Sequence, residues 1–216
     1  MAKLYMYVVA RDFGFAPNPF HGVCTLATCK PKIRRVAKEH DWIVGMGGGK
    51  LKATGRCIYV MQVTGSLTFE EYWESPDFRA KRPARNGSRK VIVGDNIYHK
   101  ERGSDQWLQE DSHHSKPDGS PDQWNVEHDT GTDRVLFSAK FMYFGNNAPV
   151  VPKEILNEIG YRNVRDHRTF HLSQCEPLIA WIKSQPASQW NMVLGDPFQF
   201  ADNAARYSKE KDRIIT

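Results

Sequence analysis

The chain has 216 residues, 40% of them apolar, which is enough for a genuine core in one large domain or two small ones. A formal charge of +5 implies mild attraction to polyanions and excludes a strongly acidic protein. No run of about 18 apolar residues exists, and the opening "MAKLYMYVVARDFG" lacks a small-residue cleavage site, so the expectation is a cytoplasmic protein with no membrane partner.

Aromatic and β-branched residues in "KLYMYVVA" predict a strand from about Leu4 to Ala10. The loop "RDFGFAPNPFHG" follows, because its prolines and glycines forbid regular structure. Pro31 suits the first turn of a helix ending near His40, with Ile33, Val36 and Ala37 as the buried stripe and Arg34, Arg35 and Lys38 pointing elsewhere. Trp42 to Met46 and Cys57 to Val63 read as neighbouring strands across a glycine-rich turn. Thr68 and Glu71 form a capping-box pattern that opens a short helix closed by Pro76.

Beyond the basic loop Arg79 to Lys90, Val91 to Val93 reads as a short strand. The next stretch, to Asp133, is polar and without periodicity, a length of loop that is usually functional or disordered. "RVLFSAKFMYFG" is the clearest strand and is expected at a central sheet position. After Pro152 the pattern turns helical: a turn or two at Lys153 to Ile159, then a helix opened by Ser173 and Glu176 whose buried face is Leu178, Ile179 and Ile182. "ADNAARYSKEKDR" reads as an exposed helix or tail. With no internal repeat and no shift in composition, residues 1–216 are expected to form one domain.

Several motifs fall away on spacing. "GMGGGKL" lacks the Walker arrangement and is better read as a turn between strands. His40-Asp41 and His128-Asp129 are doublets of the kind used by helical metal phosphohydrolases, but this chain is too rich in strands for that fold. His21, Cys24 and Cys29 are spaced as a zinc site in principle, yet no second paired motif follows. No metal is therefore assigned, and Cys24, Cys29, Cys57 and Cys175 are read as reduced, buried thiols.

The unusual density lies in "GDNIYH" and "QEDSHHS", which gather Asp95, Asn96, Tyr98, His99, Asp111, His113 and His114. Histidines beside carboxylates act as general acids or bases, bind metal or contact phosphate, and a polar loop held by local turns is the alternative. His99, His113, His114, Asp95 and Asp111 are the catalytic candidates. Phe15, Phe20, Trp42 or Trp107 would cage an extruded base, with His21, Asp95, Asn96 or Tyr98 meeting it. Six basic residues and no acidic one occupy Arg79 to Lys90, and five basic residues occupy Cys29 to Lys38. Arg34, Arg35, Arg82 and Arg85 are accordingly expected on an electropositive surface, unless these clusters are solvated faces.

"GFAPNPFHGVCTLATCKPKIRRVAKEHDWIVGMGG", "LTFEEYWESPDFRAKRP", "GDNIYH", "DSHHSKPDGSP" and "DRVLFSAKFMYFGNNAP" resemble, in order, the nucleotide modification associated domain 2 family. The resemblance spans roughly residues 4–160 and implies association with modified DNA bases or phage–host conflict; it supplies no catalytic residues. The order of helix, two strands and short helix is also similar to PUA-like base-binding domains.

The expected fold is thus α+β, a mostly antiparallel curved sheet or PUA-like barrel with flanking helices, the family-like core ending near residue 160 and residues 161–216 forming a helical extension. The strands near Leu4, Ile43, Ile58 and Val135 should share that sheet. The expected function is recognition or modification of a nucleotide or modified base, with a nucleotide or DNA as partner; the alternative is a metal- or histidine-dependent hydrolase of a nucleotide. No cofactor and no protein partner is assigned. His21, Asp95, His99 and His113 are expected to converge on one cavity, with histidines titrating between about pH 5 and 8.

Overall fold

The computed structural model describes residues 2–101 and 103–215. In chain order the elements are β1 (Lys3–Val9), β2 (Cys24–Leu26), α1 (Pro31–Val36), β3 (Trp42–Gly47), β4 (Cys57–Gln62), β5 (Gly65–Leu67), α2 (Phe69–Glu74) and α3 (Arg89–Ile92). They continue as β6 (Tyr98–Lys100), β7 (Trp107–Gln109), α4 (Gln123–Thr130), β8 (Val135–Ser138), β9 (Phe141–Tyr143), α5 (Lys153–Glu158) and β10 (His167–His171). The last are α6 (Glu176–Lys183), β11 (Met192–Val193), β12 (Arg206–Ser208) and β13 (Arg213–Ile215), with short 3-10 turns between several of them. No helix among the described residues is long and apolar enough to cross a membrane.

The fold is mixed α and β with several sheets. The largest sheet has the order β10-β1-β3-β4-β9-β11, in which β1 runs parallel to β3 and β9 parallel to β11 while the other pairs are antiparallel. Its middle strands are buried along their length, which is why β1, β3 and β4 read as nearly continuous apolar runs. Gly45 of β3 is required by packing: a Cβ there would lie 2.3 Å from the Tyr59 ring. A smaller antiparallel sheet, β2-β8-β5, sits over a second apolar cluster containing Phe15, Phe20, Phe69, Tyr72, Phe78 and Tyr98. Two hairpins, β6-β7 and β12-β13, complete the strands, and the described strands close no barrel.

The predicted strand at "RVLFSAKFMYFG" is two strands on two sheets. Ser138 Oγ accepts from Lys140 N at 2.9 Å and lies 2.6 Å from Gln62 O, so the hydroxyl takes over backbone bonding where the chain bends. β8 then pairs in the smaller sheet and β9 in the larger one, which removes Val135 from the sheet of Leu4, Ile43 and Ile58. Val91 to Val93 is not a strand, because Ser88 O accepts from Val91 N and Ile92 N and winds α3. The Thr68–Glu71 capping box is present. The box expected at Ser173–Glu176 is replaced by one at His171 and Gln174, which opens a 3-10 turn ahead of α6. The C-terminal stretch is a hairpin tied down by Tyr207 N donating to His113 O at 2.7 Å and by the Arg206–Asp111 ion pair.

α1 also turns a different face inward. Ile33 and Ala37 are buried as expected, but Val36 is 48% exposed and Arg34 is 0% exposed. Arg34 is therefore no part of an electropositive surface. Its guanidinium donates to Cys29 O at 2.9 Å, Thr132 O at 2.7 Å, Arg134 O at 2.6 Å and Asp129 O at 2.5 Å, a fork matched to a ring of carbonyls. A buried cation is tolerated here because its donors are used. Arg34→Lys keeps the charge and loses the fork, so the variant should unfold with a stability lower by about 2–4 kcal/mol in urea titrations. A loss below about 0.5 kcal/mol would show that this anchor does not hold α1.

Candidate functional site

Three segments meet at the N-terminal end of α1. Cys29, in the bend before the helix, is half-buried, whereas His114 and Asp129 behind it are 2% and 0% exposed. Cys29 Sγ is 3.7 Å from His114 Nε2, and His114 Nδ1 is 2.8 Å from Asp129 Oδ2. The two ring nitrogens thus face different partners, thiol on one side and carboxylate on the other. This is the order of nucleophile, base and orienting carboxylate that activates a cysteine.

The backbone at the cysteine is held in an unfavourable shape. Cys29 and Lys30 have φ of 56° and 43°, two successive non-glycine residues in the left-handed region, at a cost of order 1–3 kcal/mol each. Cys29 N donates to Asp129 Oδ1 at 2.7 Å, Arg34 Nε donates to Cys29 O, and Arg34 N donates to Lys30 O at 3.0 Å. The same carboxylate therefore fixes both the cysteine backbone and the imidazole. Thr28, the preceding residue, is fully buried, and its hydroxyl has no hydrogen-bond partner among the described residues.

Asp129 has every lone-pair direction engaged. Oδ2 also accepts from Tyr98 OH at 3.0 Å, Gln109 Nε2 supports that hydroxyl at 3.1 Å, and Oδ1 lies 3.2 Å from His128 Nδ1. Burial by itself would raise the Asp129 pKa, but the His114 charge, these hydrogen bonds and Arg34 outweigh it and hold the group ionised. Burial would likewise lower His114, and the charges of Asp129 and Cys29 reverse this and push it up to about 10. Cys29, His114 and Asp129 have donor atoms within 4.8 Å of one another, a spacing a metal ion could use. Asp129's oxygens and His114 Nδ1 are already committed to each other and to protein donors, leaving Sγ and Nε2, fewer ligands than a protein zinc site supplies. The arrangement fits proton transfer better than metal ligation.

Lys30 is close enough to Cys29 for their charges to interact. Lys30 Nζ lies 4.4 Å over the Tyr7 ring, and its pKa is lowered by burial and by Lys209, against the opposing charges of Cys29 and Asp166. Arg11 lies 4.9 Å over the Tyr207 ring and pairs with Asp212 at 3.2 Å, and Tyr207 itself packs 5.6 Å from His114.

The residues singled out from sequence are dispersed. Asp95 is buried, accepting from Thr25 Oγ1 at 2.6 Å and Tyr72 OH at 2.8 Å beside buried Lys81. Asn96 donates to Tyr72 O at 2.9 Å. His99 stacks on Trp73 with ring centres 4.0 Å apart and meets Glu110 at 2.9 Å. His113 lies against Phe13 and Phe15, its Nδ1 2.5 Å from Ala205 O. His21 is exposed in a left-handed bend, and among the described residues Asp95, His99 and His113 have no hydrogen-bond or ring partner in common. Asp111 pairs with Arg206 and anchors the terminal hairpin. Trp42 is 2% exposed, packed edge-on to Trp190 in the core, and cannot cage a base.

Of the basic residues, Arg35 is exposed beside Thr132, Arg82 lies 3.6 Å over Trp73, and half-buried Arg85 bonds Ala204 O. Lys81 of the same loop is fully buried, donating to Asn18 O at 2.9 Å and Val23 O at 2.7 Å. The loop is therefore partly a packing element. The expected titration of His113 and His114 near neutrality is also overturned: burial and the neighbouring His114 charge push His113 down to about 3, and His114 lies at about 10. Cys29 and Asp129 were missed as site residues. Their only sequence signals were a cysteine beside a cluster of cations and a carboxylate following a histidine.

The sequence model of the family described as nucleotide modification associated domain 2 matches residues 1–204. No curated protein and no solved structure matches the chain.

His114 has a folded-state pKa raised from 6.5 to about 10, so its stabilising contribution is complete below pH 6.5 and is lost as pH rises through about 10. The stability difference between the wild type and His114→Gln should shrink steadily over that window, as read by denaturant unfolding at several pH values. A difference independent of pH from 6.5 to 10 would mean that His114 is neutral in the folded protein.

Proposed function

The chain belongs to the nucleotide modification associated domain 2 family, and on that premise we propose that it is a cysteine-dependent enzyme acting on a nucleotide or a nucleic-acid base. The family's description points to a role in nucleotide or base modification. The observation that carries the reading is the line from Cys29 Sγ through the two nitrogens of His114 to Asp129 Oδ2. A partly exposed cysteine backed by a buried imidazole and a buried carboxylate favours an enzyme over a recognition module.

Cys29 Sγ, its proton already held by His114, adds to an electrophilic carbon of the substrate. His114 then returns that proton to the atom that accepts electrons from the attacked carbon or leaves it. The sulfur–carbon bond is broken in the second half by water or another acceptor, whose proton passes to His114. Asp129 keeps the imidazole in one orientation and balances its charge; the carboxylate does not exchange protons. Lys30, whose charge interacts with those of Cys29 and Lys209, suits a substrate that carries phosphate.

Of the catalytic candidates of the alternative hydrolase, His114 belongs to this line, whereas His99 and His113 are engaged by Trp73 and by Phe13 and Phe15 and lie outside it. Incubation with a panel of canonical and modified mononucleotides and short DNA, followed by acid quenching and mass spectrometry, should trap an adduct on Cys29. Cys29→Ser should abolish both adduct and turnover. Turnover retained at the wild-type rate in Cys29→Ser would sink the nucleophile assignment.

A further inference from the structure

A groove of about 730 Å³ lies between the start of α4 and the β12-β13 hairpin, and its walls do not include Cys29. Trp124 stands in it with 58% of its surface exposed, an unusual state for the largest apolar side chain. Pro117 and Ile214 extend the apolar floor, and Lys116, Lys211 and Arg213 bring three cations to the rim. Two carboxylates are present. Asp122 is spent on capping α4 through Trp124 N at 3.1 Å and Asn125 N at 3.3 Å, which leaves Glu210 as the one uncommitted acid in the lining.

An exposed indole flanked by cations meets the two needs of an unpaired nucleic-acid strand, a flat surface for a base and positive charge for its phosphates. A duplex offers no free base face to Trp124, and an acidic peptide offers nothing that stacks. The hairpin also links this groove to the cysteine. Tyr207 packs on His114, whereas the next residue, Ser208, lines the groove, because successive side chains of a strand point to opposite faces. The two sites thus share one strand as a wall, and Asn125 Nδ2, donating to His114 O at 2.8 Å and Tyr207 O at 2.7 Å, fixes the hairpin to α4 between them.

We infer that this groove binds single-stranded nucleic acid by stacking a base on Trp124, and so holds a polymeric substrate next to Cys29; the second clause rests on the enzymatic reading above. A fluorescein-labelled 15-nucleotide single strand, its duplex and a polyglutamate of similar charge provide the test by fluorescence anisotropy. The single strand should bind more tightly than either alternative, and Trp124→Ala should weaken it about tenfold. With three phosphate contacts the log–log salt slope should be about −2, and Lys211→Glu with Arg213→Glu should flatten it. Trp124 is exposed, so its truncation should leave the melting temperature unchanged, which separates lost binding from lost folding. Equal binding of duplex or polyglutamate, or wild-type binding by Trp124→Ala, would overturn the groove. Binding does not read Cys29 chemistry: failure here with an adduct on Cys29 removes the groove alone, and binding without an adduct removes the nucleophile alone.

Discussion

The carboxylate of Asp129 is the constraint on which the site depends. It is fully buried, and it receives the backbone of Cys29, the ring of His114 and the hydroxyl of Tyr98. Removing an ionised carboxylate from water is costly, and the cost is tolerated only where donors replace the lost solvent. Here those donors come from segments far apart in sequence, so the charge can be satisfied only when α1, α4 and the β6-β7 region are assembled. Arg34 closes the same knot from the other side by binding the backbone carbonyls of Cys29 and Asp129. A left-handed Cys29–Lys30 bend persists because both its flanks are bonded.

A second buried charge pair lies in the neighbouring layer. Lys81 and Asp95 are both fully buried and are bridged by Thr25, which meets Lys81 at 3.1 Å and Asp95 at 2.6 Å. Burial lowers Lys81 to about 8 and raises Asp95. Every lysine proton nonetheless finds an oxygen, including those of Asn18 and Val23. The polar stretch without periodicity packs as an interior on the same principle, through hydrogen bonds of its own. Ser112, His113, His114, Ser115, Asp122 and Asn125 are buried there because their hydrogen bonds are made within the protein.

Much of the sheet was legible because strands buried on both faces announce themselves as continuous apolar runs, as in β1, β3 and β4. The Thr68–Glu71 box was legible because capping is local. What was not legible was long-range. Nothing in "IRRVAK" says that Arg34 rather than Val36 is inside; the carbonyls that accept its protons lie about a hundred residues on. The bend at Ser138 depends on Gln62 O in another strand. His114 was singled out for its polar setting together with His99 and His113, and composition could not separate three histidines whose partners are Asp129, Trp73 and the Phe13–Phe15 pair. Cys29 and Asp129 obey no spacing rule, since nucleophile and orienting group need proximity in space and not in sequence.

The contrast among the cysteines follows from the same geometry. Cys24 and Cys57 are wholly buried with thiols pushed up to about 12, and Cys175 is buried and pushed up to about 11, whereas Cys29 alone combines partial exposure with an imidazole beside its sulfur. The central claim is that Cys29, His114 and Asp129 act as one unit. The direct measurement is the rate of Cys29 carboxamidomethylation by iodoacetamide at pH 7 in the wild type, His114→Gln, Asp129→Asn and the double variant, each first shown to be folded. Groups that act as a unit are non-additive. The account predicts that each single variant slows Cys29 at least tenfold and that the double variant is little slower than His114→Gln alone. Unchanged rates in the single variants, or losses that multiply in the double variant, would contradict it.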